Sequence, residues 1–289
     1  MEHLSEHRAK AITVINLKGG VGKTHTVWLL AGVCEDRGKR VLVIDTDTQG
    51  NITRSFLPPL ASPLPGVETL FDPRTDTDPV TLIRRTRFAH IDLLPSSAVL
   101  AAYDLSDRRV WERSDLHFSL AEGLRGILGS YDYVLFDCPP RLSLVSFAAL
   151  CAADHVLIPL EAADWGAQGV VQVTAAVNHV RERYNPHLNL LGYLVSRFKR
   201  SRAYQRSYMA ELRKHFGSLA FDTVVPDLAG YEKSVTHSVP ITLHAPASHE
   251  AAIARTLFDE VERRITEAGR GGAERRGKDL RVGAVAPAA

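Results

Sequence analysis

The segment "KGGVGKTHT" (residues 18–26) gathers glycines, two lysines and a threonine in the pattern a loop needs to wrap a phosphate. Glycine lets backbone N–H groups approach an anion closely, and a helix starting behind the loop adds the partial positive charge of its N-terminus. In that arrangement Gly19, Gly20, Val21 and Gly22 form the cradle, Lys23 reaches the β and γ phosphates, and the Thr24 hydroxyl ligates Mg²⁺. One position departs from the common G-x-x-x-x-G-K-[ST] spacing: Leu17 stands where the first glycine belongs, with Lys18 beside it. Downstream, "VLVIDTDTQGN" supplies Asp45 and Asp47, and "YDYVLFDCPP" supplies Asp137. A single aspartate of this kind commonly caps a turn. Three of them beside a Gly-Lys-Thr loop suit Mg²⁺, a hard cation that takes few protein oxygens and keeps several waters.

A second group of residues implies other chemistry. Residues 197–214, "RFKRSRAYQRSYMAELRK", carry seven Lys/Arg against Glu211 alone, a local charge of +6, while the whole chain is only +2. From Arg270 to the end, five basic residues stand against two acidic ones, a local +3, so the remainder is about −7 by the same count.

These groups can meet only if the fold delivers them to one place. Short apolar runs at 11–16, 40–45, 91–95, 133–137, 155–160 and 190–195 read as strands. Between most of them lie helical patterns: Lys23 to Arg37 stopping at Gly38, then 114–128 with Ser114 as cap, 143–152, 167–183 and 203–216, with a closing helix at 248–267. Near-continuous apolar strands alternating with helices predict a doubly wound α/β domain, a mostly parallel sheet with helices on both faces. In such sheets ligands bind beyond the carboxyl ends of the strands, where the loop and the three aspartates would all lie. Six prolines within 57–79 make that stretch an irregular excursion. The expected organisation is one domain over 1–269 and a disordered basic tail over 270–289.

With 289 residues, 45% hydrophobic and 24% charged, the composition is that of a soluble globular chain. The charged start "MEHLSEHRAKA" has no apolar core, so it does not read as a secretory signal. No window approaches the ~18 consecutive apolar residues of a membrane span. Cys34, Cys138 and Cys151 show no C-x-x-C spacing and read as reduced, buried thiols of a cytoplasmic protein.

Taken in order, "KGGVGKTHT", "VLVIDTDTQGNIT", "YDYVLFDCPP" and "ADHVLIPLEA" resemble the ParA/MinD group of deviant Walker P-loop ATPases, and within it the Soj-like ParA proteins of DNA partitioning. The resemblance spans about residues 10–268 and includes "NPHLNLLGYLVSRF" and "TVVPDLAGYEKSVTHSVPITLHAPAS". It implies an ATP- and Mg²⁺-dependent hydrolase that forms a homodimer on ATP, binds non-specific double-stranded DNA on the nucleoid, and is stimulated by a ParB-type centromere-binding protein. It implies that Lys18 crosses the dimer interface to the phosphates held by the other subunit, so the missing glycine at Leu17 is no defect. It further implies that Asp137 acts on the metal through water, that Asp47 orients the attacking water, and that Asp45 lies near the metal. Adenine selectivity falls to the segment around Pro226 and Asp227. Departures are Thr46, Thr48, His25 and the altered "EAADWGAQG" loop, which bears on how Glu161 and Trp165 meet a partner. Inside the first helical turn, His25 is expected to pack or to support the site rather than act as a base.

Wound as a helix, 203–216 places Tyr204, Tyr208, Leu212 and Phe216 on one apolar stripe, with Arg202, Arg206 and Arg213 in a sector beside it, near Lys199 and Arg200. An ordinary solvated helix mixes charge signs; this one is nearly free of acids, which favours contact with a phosphate backbone. Two other functions use the same fold class. A membrane-positioning ATPase needs a C-terminal amphipathic helix, and the tail offers only Leu280, Val282 and Val285 as sizeable apolar residues. An iron–sulfur carrier needs cysteines ready to ligate at a dimer axis. Positioning of a protein cargo instead of DNA would use the same mechanism.

Overall fold

A computed structural model describes residues 8–58, 64–107, 109, 115–161, 168–199 and 203–271. Seven strands form one sheet among them: β1 (Lys10–Val14), β2 (Val41–Asp45), β3 (Arg84–Arg85), β4 (Ile91–Leu94), β5 (Tyr133–Asp137), β6 (His155–Glu161) and β7 (Asn189–Ser196). Their spatial order is β3-β4-β2-β5-β1-β6-β7, and every pairing is parallel except the antiparallel β3–β4 edge. The strands β2, β4 and β5 are buried at every residue, as apolar runs covered on both faces must be. Two apolar cores lie on the two sides of the sheet, one around Phe71, Phe136, Phe147 and Tyr193, the other around Trp28, Tyr133, Phe221 and Phe258.

The helices are α1 (Lys23–Asp36), α2 (Asn51–Phe56), α3 (Ser119–Leu124), α4 (Leu144–Ala152), α5 (Gln168–Arg183), α6 (Ala203–Phe216), α7 (Ala229–Thr236), α8 (Ile241–His244) and α9 (His249–Gly271). Helix α1 ends where expected, with Gly38 in the left-handed region at φ 64°. It is buried along most of its length between the sheet, α8 and α9. Helix α9 is tied down by Arg264, whose guanidinium donates to the carbonyls of Leu191, Ser218 and Ala220 and pairs with Glu260 at 2.8 Å. On α6, Tyr208 and Leu212 are buried and Phe216 packs on the core, so these three positions of the stripe face inward as expected, while the Tyr204 side chain lies outside the described ones.

Some expectations are corrected. The single helix expected at 114–128 is broken into a 3-10 turn at Leu116–Phe118, the short α3, and another 3-10 turn at Leu128–Ser130. Gly126 lies in the turn where α3 stops, and a glycine costs a helix interior about 1 kcal/mol relative to alanine, whereas Gly123 is accommodated within α3. Strand β3 and the helices α2, α7 and α8 were not anticipated, because two to eight residues are too few to show a period. Within the proline-rich excursion, 3-10 turns form at Val67–Phe71 and Pro79–Leu82. Ser114, Trp165 and the tail beyond residue 271 lie outside the described residues. No helix among the described residues is long and apolar enough to cross a membrane.

Candidate functional site

The register of the three central strands brings their carboxyl ends together: Val14 pairs with Asp137, and Asp137 with Asp45. The loop leaving β1 turns back over this edge through Gly20 and Gly22, both left-handed at φ 77° and 88°. Gly22 is required twice over, because a Cβ there would also lie 2.8 Å from Ser196 Oγ at the end of β7. Ser196 in turn donates its hydroxyl to the Val21 carbonyl. Asn16 anchors the start of the loop, accepting from Lys18 N at 3.0 Å and donating to Pro159 O at 2.7 Å. Helix α1 begins directly after Gly22, so its first N–H groups, which have no intrahelical acceptors, open onto the loop.

A cleft of about 760 Å³ lies over this edge. Gly19, Gly20, Gly22, Lys23, Thr24, His25 and Asp47 line it, together with Pro226 and Asp227. Val21 is buried beneath the loop, and Lys18 is not among the lining residues. Lys23 is 7% exposed and donates to the Lys18 carbonyl at 2.9 Å. Burial lowers its pKa, against the opposing pull of Asp137.

The carboxylates differ sharply. Asp137 is buried, and neither oxygen has a hydrogen-bond partner. Burial first, and Asp45 second, push its pKa well above the usual range; the nearby Thr24 hydroxyl pulls the other way without completing a hydrogen bond. A buried acceptor with nothing to accept from is a polar cost that a ligand shell can relieve. Mg²⁺ with its waters, held by Thr24 and Asp137, fits that requirement. Among the described residues no three His, Cys, Asp or Glu side chains converge on a metal by themselves, in keeping with a cation that would take its other ligands from phosphate and water. Asp45 lies beside Asp137 in register, and its oxygens accept from Thr53 N at 3.0 Å, Thr53 Oγ1 at 2.6 Å and Asp47 N at 3.0 Å, so it braces the 45–53 loop next to the expected metal position. Burial leads among the causes that raise its pKa to about 6. Asp47, 8% exposed, accepts from Gln49 N at 3.0 Å and does face the cleft.

His25 packs, as expected. Its ring meets Tyr231 edge-on at 4.8 Å, Nε2 is buried without a partner, and burial lowers its pKa to about 4. Lys18 lies 3.3 Å from Glu161 at the end of β6. Of the basic cluster, Lys199 pairs with Asp227 at 3.0 Å, so one expected DNA residue is tied to one expected nucleotide residue. Arg213 is exposed near the end of α6 and Arg206 belongs to the same helix, whereas Arg200 and Arg202 lie outside the described residues. All three cysteines are free and buried, and burial pushes Cys138 and Cys151 up to about 12, which does not suit ready ligation.

Several lining residues escaped sequence reasoning: Gln49, Asn51, Arg141, Ser196, Arg197 and Tyr231. Arg197, left-handed at φ 54°, donates to Gly20 O at 3.2 Å. Its place directly after an apolar strand is the one signal that could have marked it.

A family model described as an AAA domain matches residues 9–190. The chromosome-partitioning ATPase Soj of Thermus thermophilus is 36% identical over 262 residues, covering 90% of this chain and 98% of that protein. The sporulation initiation inhibitor protein Soj of Bacillus subtilis is 31% identical, covering 87% and 98%. Among solved structures, cobyrinic acid a,c-diamide synthase from Mycobacterium smegmatis, with bound ATP analog and magnesium, superposes with a TM-score of 0.74 at 26% identity, over 89% of this chain and 96% of that one. The McdA–ATP complex of Cyanothece reaches 0.77 over 90% and 97%, at 20% identity, a likeness of fold alone.

Proposed function

The chain belongs to the Soj/ParA family of ATPases, and from that premise we propose that it binds ATP with Mg²⁺, pairs into a homodimer on ATP, and holds double-stranded DNA without sequence preference. In this reading it is a cytoplasmic, nucleoid-associated partitioning ATPase for a plasmid or chromosome, and a ParB-type partner stimulates its hydrolysis. The observation that carries the nucleotide part is the partnerless carboxylate of Asp137, buried within reach of Lys23 and Thr24, which line the cleft with the loop glycines.

Hydrolysis adds a water oxygen to the γ-phosphorus and breaks the bond to the β–γ bridging oxygen, which keeps the electron pair and leaves with ADP. Both of the water's protons leave with the released phosphate. Lys23 and the amides of Gly19–Gly22 hold the β and γ oxygens, and Asp47 orients the water. Thr24, and Asp137 through water, would hold Mg²⁺, which would supply neutralisation of the phosphate charge. Lys18, supplied across the dimer interface, makes pairing depend on the terminal phosphate; to do so it exchanges Glu161 for phosphate oxygens. Pro226 and Asp227, which also line the cleft, meet the base.

DNA contact falls to α6 and the segment before it, through Lys199, Arg200, Arg202, Arg206 and Arg213. The test is retention on duplex DNA with ATP against ADP across a salt series. ATP-dependent retention is expected, with the log–log slope flattening by ~0.9 for each phosphate contact removed. Arg206→Glu with Arg213→Glu abolishes retention and leaves ATP binding intact. A double variant that holds DNA like the parent at moderate salt would falsify the assignment to α6. A Lys18→Ala chain that still dimerises on ATP would remove the switch.

A further inference from the structure

The loop that follows β5 carries a cation that none of these roles employs. Arg141 lines the cleft on the side of Asp47, four residues after Asp137. Its Nη2 lies 2.5 Å from Asp104 Oδ2 and donates to Thr48 Oγ1 at 3.3 Å. Thr48 directly follows Asp47, so one guanidinium spans the loop bearing the water-orienting carboxylate and the loop bearing the metal-side carboxylate. The Asp104 side chain is only 7% exposed, and its second oxygen is buried without a hydrogen-bond partner. Arg141 itself is 45% exposed, which leaves part of the guanidinium open to the cleft.

Two other cations line the described part of the cleft, and both are placed elsewhere. Lys23 is buried under the loop and bonded to the Lys18 carbonyl. Arg197 approaches from β7, donates to Gly20 O and stands near His25, on the side of Asp227. Lys23 also lies within electrostatic reach of Asp47 but is buried, so Arg141 is the half-exposed cation on the Asp47 side of the described cleft, where a water held by Asp47 would attack.

We propose that Arg141 contacts the terminal phosphate and stabilises the charge that builds on its oxygens during transfer to water, and that Asp104 restrains it beforehand. This rests on the ATPase reading. As the water–phosphorus bond forms and the bridging bond breaks, negative charge spreads over three equatorial oxygens and the leaving oxygen. A planar donor fork beside Asp47 matches that geometry better than a point charge does. A buried carboxylate that holds the fork makes the exchange costly, which keeps intrinsic turnover slow.

The test separates nucleotide affinity from turnover, with a fluorescent ATP analog for the first and phosphate release for the second. Arg141→Ala is expected to lower kcat by about hundredfold to thousandfold, the scale of a lost charge-stabilising donor, with a much smaller change in affinity. Arg141→Lys keeps the charge and recovers part of kcat. Asp104→Asn loosens the restraint and raises kcat, an effect that disappears when combined with Arg141→Ala. Parental turnover in Arg141→Ala, a lysine variant no better than alanine, or variants that shift only the thermal midpoint each overturn the proposal, the last making Arg141 a structural tie. A parent chain with no ATP turnover defeats the ATPase reading itself, an outcome visible before any variant is made.

Discussion

The sheet's two edges treat polar groups in opposite ways. At the edge where β1, β5 and β6 begin, buried and half-buried polar atoms mostly find partners within the chain. Asp154 accepts from Ala11 N at 3.0 Å and pairs with Arg8 at 3.3 Å, Tyr133 donates to Glu262 at 2.5 Å, and Tyr131 donates to Asp92 at 2.8 Å. At the edge where the same strands end, Asp137 has two oxygens without a hydrogen-bond partner, burial lowers the pKa of Lys23, and two loop glycines hold left-handed conformations. Hydrogen bonds made within the chain stabilise the first edge. The second is left unsatisfied at a cost the rest of the fold must absorb, and that cost marks where a ligand belongs.

The comparison breaks most visibly at Asp137. Replacing it with asparagine removes a buried carboxylate that the folded chain holds against its preference, so Asp137→Asn should leave the ligand-free thermal midpoint unchanged or higher. Turnover should fall by about hundredfold or more, because the metal-side charge is gone. Calorimetry and phosphate release read the two effects separately. A variant that loses stability along with activity would show that Asp137 serves the fold, and the contrast between the edges would lapse.

A finer cut compares two glycines of one loop. Gly22→Ala must place its methyl group 2.8 Å from Ser196 Oγ and hold φ near 88°. A cost of about 1–3 kcal/mol is expected, together with weaker nucleotide binding because Ser196 no longer fixes the Val21 carbonyl. A Cβ at Gly19 meets nothing within 4 Å, so Gly19→Ala should stay within about 0.5 kcal/mol of the parent. Equal losses in denaturant melts would mean that the loop tolerates neither change for reasons of its own, and that β7 does not shape it.

That pair also shows what could be read from sequence and what could not. Lys23, Thr24, Asp47 and Asp137 were legible because each lies in a local pattern that follows an apolar strand, and topology alone brings strand ends together. The span of α6 was legible for a similar reason, since fourteen residues of period 3.6 leave a stripe. Ser196, Arg141 and Arg197 were not, since their meaning comes from residues about 175, 93 and 177 positions away, namely Val21, Thr48 and Gly20. No period or spacing encodes such contacts. The bracing of Asp45 was equally illegible, since the Thr53 hydroxyl that engages it stands eight positions on and no pattern marks that contact.

The smallest effect lies at the structural edge and tests one exception there. His155 opens β6 with Nδ1 buried and unpartnered, and burial lowers its pKa to about 4, with Asp154 pulling it upward and Lys10 adding to the fall. As the pH drops through the ordinary 6.5, the unfolded chain takes up a proton that the folded chain refuses. Stability is therefore complete above about 6.5 and declines toward pH 4, by no more than about 3 kcal/mol. At the opposite edge Asp45 acts with the other sign. Its raised pKa, about 6, means that the folded chain keeps a proton the unfolded chain has lost, so stability falls as pH rises from about 4 to 6. The two contributions oppose each other over that window, and the parent's net slope hides both. His155→Gln removes the first alone, so its thermal midpoint should fall less than the parent's on acidification from pH 7 to 4.5. Parallel midpoint curves for the two proteins would mean that His155 takes its proton while folded, and that it is no exception at the structural edge.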